Sequence, residues 1–380
     1  MLLNFFGQIF ICLFVLMKLL SNFFLVLFLT SCANMILPTG GDKDIDAPKL
    51  LATNDTESMK HVHKRIITFE FDEYIQLNKW EEYFYISPPT KKTIQKKIKG
   101  QTLSLTIEDT LSKNSTYYIA LNSCVKDNNE GNILDSLSYT FSTSNDIDTL
   151  TLSGSLQDAY SLEPLENTWI MLFDTNINDT LIFNSTPRYI SKTDKNGMYH
   201  FTNLNADNYT IVALTDFDFI YDEEEKIAFS DSPINAEKDS FISLFGFNPI
   251  VKVDSTLTDT TALTADSLVA DTLLKEMLAV EDIPSGKLEI ITEQNSSCII
   301  QLLQNDKVVK EFVFKEKPFL INYIGAGKYN VKYIYDNNKD SIWNTGSWEQ
   351  KLQAEKVINY PSEITIRSNW DLQLEWIIGE

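Results

Sequence analysis

Histidine, cysteine and positive charge are scarce in this chain, and each scarcity closes off a class of chemistry. Of 380 residues only three are histidine and four cysteine, while 53 acids outnumber 32 bases to give a formal net charge of −21. His61 and His63 would share one face of a strand, but His200 lies far away in sequence, so a zinc site lacks further ligands. The acidic balance offers nothing to neutralise phosphates, which excludes nucleic acid and makes an anionic membrane surface a poor partner. The motifs Gly-x-Ser-x-Gly, the P-loop, the dinucleotide fingerprint and His-Glu-x-x-His are all missing. Asp72 and Glu73 are adjacent and so point to opposite faces of a strand, a poor acid/base couple. No nucleophile with its base can be named, and the expectation is a protein that is not an enzyme.

Long hydrophobic runs are confined to one place. From Met1 to Leu29 the chain is apolar enough for a membrane span, yet its only base, Lys18, falls mid-run, where a charge is costly. Read from Met17, "MKLLSNFFLVLFLTSC" has a basic start, a short apolar stretch and a small-residue exit, the layout of a secretory signal. We therefore expect translation from Met17 and a signal within residues 1–31. Leu29-Thr30-Ser31-Cys32 resembles a bacterial lipobox, which implies that Cys32 becomes the mature N-terminus and carries acyl chains. Each buried methylene contributes about 0.8 kcal/mol and one chain holds only marginally, so several hold firmly. An ordinary signal with an incidental cysteine, or an uncleaved anchor, is the competing reading. Residues 32–46 then form a tether, where Pro38, Gly40 and Gly41 oppose regular structure and Asp42, Asp44 and Asp46 keep it solvated.

Removing residues 1–31 leaves about 350 residues, enough for two or three domains. Cys124 and Cys298 lie beside apolar residues in different regions, which argues against a disulfide framework and predicts two buried thiols. Strand signals dominate, and no long amphipathic helix is marked before residue 250. In residues 47–145, "RIITFEFDEYIQL", "EEYFYISPP", "TLSLTIED", "STYYIALNSCVKD" and "SLSYTFSTS" are separated by turn-rich stretches, a spacing that predicts an antiparallel sandwich. Phe71-Asp72-Glu73-Tyr74, Leu77, Tyr118, Asp127, Gly131-Asn132 and Phe141-Ser142-Thr143 resemble the SbsA-type bacterial Ig-like domain.

Residues 150–250 open with "TLSGSLQDAYSLEPLENTWIMLFD" and continue through an Asp194-Lys195-Asn196-Gly197 turn to Tyr199, Phe201 and Tyr209–Leu214. These words resemble a transthyretin-like carboxypeptidase-regulatory domain, which implies a non-catalytic β-sandwich. Residues 251–285 lose their aromatics and fill with Thr, Asp, Ser and Ala, the composition of a linker. Ser255, Thr260, Ser267 and Thr272 there each follow an aspartate, in a pattern that resembles O-glycosylation sites of exported Bacteroidota proteins. Residues 286–380 are again strands, and in "WDLQLEWII" Trp370, Leu372, Leu374 and Trp376 alternate with polar residues, predicting one buried face. Overall the expected class is all-β, three tandem sandwiches behind a lipidated tether.

Tyr209 precedes Asp216 by seven residues and Tyr329 precedes Asp336 by seven, so the second and third domains share one plan. The loops that follow offer calcium candidates, Asp336, Asn338 and Asp340 at alternate positions and Asp216 with Asp218. Against calcium, Ser341 stands where an EF-hand bends at glycine and Ser347 where it places glutamate. The competing reading is acidic turns that bond their own backbone. From Cys32 onward the chain resembles the Bacteroidota Ig-like-domain lipoproteins, including "PTGGDKD" and Ala47-Pro48 after the lipobox. That resemblance implies an outer-membrane lipoprotein that binds or scaffolds an envelope protein partner, such as a β-barrel assembly or secretion machine. The alternative is a glycan- or calcium-binding adhesion module, for which Trp343 and Trp348 would be exposed beside the acidic loop.

Overall fold

The computed structural model describes residues 14–21, 43–56, 65–175, 185–215, 221, 225–249 and 285–378. Cys32, His61, His63, Asp216, Asp218 and the linker positions Ser255, Thr260, Ser267 and Thr272 lie outside the described residues. Residues 14–21 are helical, and among the described residues no helix is long and apolar enough to cross a membrane. Met1–Asp46 and Ala47–Glu380 separate as two units. Within the second unit the secondary structure is almost wholly strand.

The first sandwich is built from β1 (Leu50–Thr56), β2 (Arg65–Phe71), β3 (Ile75–Leu77), β4 (Tyr85–Ser87), β5 (Gln95–Lys99), β6 (Thr102–Ile107), β7 (Thr116–Ala120), β8 (Val125–Asp127), β9 (Ile133–Leu134) and β10 (Ser138–Ser142). Its sheets run β1-β2-β6-β5 and β10-β7-β4, with a small β3-β8-β9 sheet beside them. In β2, Ile67, Phe69 and Phe71 are buried while Ile66, Thr68 and Glu70 are not, and β6 buries Leu103, Leu105 and Ile107 in the same rhythm. A period of two is what a strand imposes on its side chains, so the apolar half faces the opposite sheet. Asp127 fastens the turn after β8. Its carboxylate accepts the N–H groups of Asn129, Glu130, Gly131 and Asn132 at 2.6–2.8 Å.

The second sandwich comprises β11 (Leu150–Asp158), β12 (Trp169–Asp174), β13 (Tyr189–Lys192), β14 (Met198–Leu204), β15 (Asn208–Leu214), β16 (Ile227–Phe229), β17 (Ile234–Asn235) and β18 (Phe241–Gly246). The third comprises β19 (Ser285–Ile291), β20 (Cys298–Gln304), β21 (Lys307–Phe314), β22 (Phe319–Gly325), β23 (Gly327–Tyr335), β24 (Val357–Asn359), β25 (Ile364–Ile366) and β26 (Asp371–Glu375). The orders β14-β11-β18 and β13-β12-β15-β16 reappear as β22-β19-β26 and β21-β20-β23-β24, and β17 and β25 pair with the corresponding strands. In both, the last strand pairs parallel to the first.

The shared plan extends to single atoms. The Tyr209 hydroxyl donates to the carbonyl of Asn205 and the Tyr329 hydroxyl to that of Gly325, four residues back in each case. Such a tyrosine corner pins the turn entering a central strand of a sandwich. Cys124 and Cys298 are both free and buried, and burial pushes each thiol up to about 12. One expectation fails at the C-terminal strand. Leu374 and Trp376 are buried, but Trp370 is 57% exposed, because the strand starts only at Asp371, after Asn369 has turned into the left-handed region.

Candidate functional site at the sandwich junctions

Trp343 and Trp348 are not surface aromatics beside an acidic loop. They close the junction between the second and third sandwiches. Trp348 is 8% exposed and meets Phe229 of β16 edge-on at 5.0 Å, with Phe247, just past β18, behind it. Trp343 lies against Tyr160 at 4.9 Å and donates its indole N–H to the Glu355 carbonyl. A second apolar patch joins Tyr160 and Leu162 to Ile299, Ile334 and Val357. Aromatic pairs of this kind contribute about 0.5–1.5 kcal/mol beyond the area they bury.

Polar groups set the angle at which these surfaces meet. Lys332 is buried, donates to the Tyr160 carbonyl at 2.7 Å and lies over the Tyr160 ring. The Tyr160 hydroxyl donates to Gln301 Oε1, whose amide nitrogen in turn donates to Glu311. Gln353 donates to the Phe229 carbonyl and to Asp231, and Thr345 to the Asn248 carbonyl. Buried polar groups are costly unless paired, so this network admits one docking arrangement and penalises others. Burial pushes the Lys332 ammonium down, with the charge of Asp158 acting in the opposite direction.

The acidic loop beyond β23 is a fastening rather than a cage. Asp340 accepts from the Ile342 N–H and from the side-chain amides of Asn338 and Asn344. Glu355 accepts the N–H groups of Asn337 and Asn344 through its two oxygens. Asp336 is 2% exposed, and its Oδ2 accepts from Ser297 Oγ while Oδ1 has no hydrogen-bond partner. Burial, then the Asp336 charge, pushes Glu355 up. Among the described residues no three His, Cys, Asp or Glu side chains converge on a point that could hold a metal. The oxygens of Asn338 and Asp340 are instead engaged within the loop, where Asp340 also accepts from Asn344. The loop is a turn held by its own side chains.

The first and second sandwiches meet through β4 and β13. Ser87 Oγ accepts the Ile190 N–H, and Tyr85 packs edge-on against Trp169 at 5.9 Å. Lys192 donates to the Glu82 carbonyl at 2.6 Å and lies over Trp169. Beside this contact is a cavity of about 390 Å³ lined by Pro88, Lys91, Asp109, Asp174, Pro187 and Arg188. Three of these charges are already engaged, since Arg188 bonds Asp174, Asp207 and Asn205, and Asp109 accepts the N–H groups of Lys91, Lys92 and Thr110.

Lys192 gives this junction a pH dependence. Burial pushes its ammonium down to about 8, against a smaller upward pull from Glu82. A base whose pKa is lower folded than unfolded favours unfolding while protonated, so its penalty is full below about pH 8 and fades toward the ordinary lysine value. The thermal midpoint should rise between about pH 8 and pH 9.5, and Lys192→Met should flatten that rise. An equal rise in parent and variant, followed by calorimetry, would remove Lys192 as the cause.

Comparison with known proteins agrees at the level of the first sandwich. Residues 44–143 match the family described as Bacterial Ig-like domain. No curated protein matches the chain. Among solved structures, the TIE protein of Bacillus anthracis shares 10% identity over 90% of this chain and 58% of its own, with a TM-score of 0.18. BcpA, the major pilin subunit of Bacillus cereus, shares 10% over 52% of this chain and 70% of its own, with a TM-score of 0.18. A streptococcal ancillary pilin shares 11% over 75% and 80%, with a TM-score of 0.16. This chain thus spans 58% of the TIE protein's length, and scores this low carry no inference from those proteins to this one. The fold and junctions define a protein of fused β-sandwiches whose first sandwich is similar to a bacterial Ig-like domain.

Proposed function

We propose that the chain is a lipid-anchored outer-membrane scaffold, a rigid stack of sandwiches that presents edges and loops to an envelope protein partner. The observation that carries this reading is the junction of the second and third sandwiches. Tyr160, Phe229, Trp343 and Trp348 weld two similar modules that a long Thr- and Asp-rich connection would otherwise leave independent. A rigid spacer needs such a weld, whereas a string of separately mobile modules does not. Cys32 supplies the anchor in this reading and the sandwich edges supply partner surface. The adhesion alternative loses its aromatic platform, because Trp343 and Trp348 serve the junction instead.

Metabolic labelling with an alkyne fatty acid tests the anchor. The parent chain should take up label and sediment with membranes, and Cys32→Ala should lose both. Equal labelling of parent and variant would overturn the lipid assignment. Affinity purification of the tagged, acylated protein tests the partner: outer-membrane barrels in stable association support scaffolding, and a lone protein that retains polysaccharide supports adhesion.

A further inference from the structure

The outer strand β18 of the second sandwich carries no charge, unlike three other sheet edges. Strand β5 has Lys96, Lys97 and Lys99, strand β21 has Lys307 and Lys310, and β26 has Asp371 and Glu375. Charges of this kind keep edges from pairing. Strand β18 reads Phe241-Ile242-Ser243-Leu244-Phe245, and its outward side chains include Phe241 at 51% and Phe245 at 43% exposure. Among the described residues it lies at the end of its sheet, with β11 on one side and only the Ile227–Phe247 bridge beyond its C-terminal end.

The outward residues of this strand, Phe241, Ser243 and Phe245, are symmetric about Ser243, and the backbone agrees with that symmetry. Ser153 donates to the Ser240 carbonyl and Ala159 to that of Gly246, so the even-numbered residues of β18 serve the parallel ladder with β11. Alternation then turns the N–H and C=O groups of Phe241, Ser243 and Phe245 away from β11, toward the open edge. An antiparallel copy centred on Ser243 places Phe241 opposite Phe245 of the partner and Ser243 opposite its own counterpart. In that register every outward group falls in a hydrogen-bonded pair, giving about six backbone hydrogen bonds and two aromatic pairs. A two-fold interface demands such self-complementarity.

The third sandwich supplies the contrast. Its corresponding strand, Asp371-Leu372-Gln373-Leu374-Glu375, has the same alternation with an acid at each end. Pairing it with itself about Gln373 would set Asp371 against a second glutamate, which repels. One plan used twice in one chain thus carries a barred edge and an open one.

We propose that β18 pairs antiparallel with β18 of a second copy of this chain. The interface is short and therefore reversible, so it is read by register-specific cross-linking. The test uses the purified full chain in solution at high micromolar concentration and does not depend on the acyl anchor. Opposed Ser243 residues would have Cα atoms about 5.5 Å apart, within disulfide or short bis-maleimide reach. Ser243→Cys should give covalent dimer at least tenfold faster than Gln373→Cys, with the parent chain as blank and thermal melting as the folding control. Sedimentation of the parent should show concentration-dependent dimer that Ser243→Lys removes. Equal cross-linking of the two cysteine variants, or a parent that stays monomeric throughout, would overturn the proposal and leave the edge to a strand of another protein.

Discussion

Trp348→Ala should split the melting of the second and third sandwiches into two transitions, with the third unfolding first. In the parent the Trp348 side chain is buried against Phe229 and Phe247, residues of the other sandwich. The cores themselves lie elsewhere: Ile300, Leu302, Phe319 and Tyr333 fill the third, while Leu156, Ile170, Leu172 and Phe201 fill the second. Truncating a buried tryptophan costs about 3–5 kcal/mol. Here that loss falls on the coupling between two cores rather than on either one. Differential scanning calorimetry checks it: one parent transition should become two, and limited proteolysis should then cut between the sandwiches. A single unshifted transition in the variant would mean that the junction holds nothing together.

Gly154→Ala should destabilise the second sandwich and lower the shared transition. A methyl group at Gly154 would lie 2.1 Å from the Ile242 carbonyl oxygen and 2.2 Å from the Tyr199 hydroxyl. The tyrosine crosses over the glycine, from β14 past β11, and donates to Ile242 on β18 at 2.8 Å, tying three strands together. Overpacking ordinarily costs about 1–3 kcal/mol, and here one of the clashing atoms is backbone that cannot swing aside. Tyr199→Phe, which removes only the hydrogen bond, should lose about 1 kcal/mol. Urea unfolding followed by near-ultraviolet dichroism separates the two variants, and an unchanged midpoint for Gly154→Ala would show that the sheet yields freely at this point.

The strands were legible because alternation is local. "RIITFEF" and "TLSLTI" show their buried faces by spacing alone, and β2 and β6 bury those residues. The tyrosine repeat was legible as well, since Tyr209 and Tyr329 mark one turn used twice. Trp370 escaped because one residue in the left-handed region, Asn369, breaks the alternation it joined on paper. The alternate spacing of Asp336, Asn338 and Asp340 reads two ways for a related reason. Oxygen donors at alternate positions suit both a cation and a turn, and the turn's own donors, the N–H of Ile342 and the amides of Asn338 and Asn344, are visible only in the fold.

By itself the sequence determined the class, all-β, and where its strands fall, because a side-chain period of two belongs to each strand and needs no partner to express it. It also determined the duplication of one plan, through Tyr209 and Tyr329, whose roles at the turn are local. Tertiary structure alone decided that Trp343 and Trp348 join two sandwiches, and that β18 stands at an edge while equally apolar β12 lies inside its sheet. Burial between modules depends on which surfaces meet, and residues from β16, β24 and a distant loop share a junction without sharing any pattern along the chain.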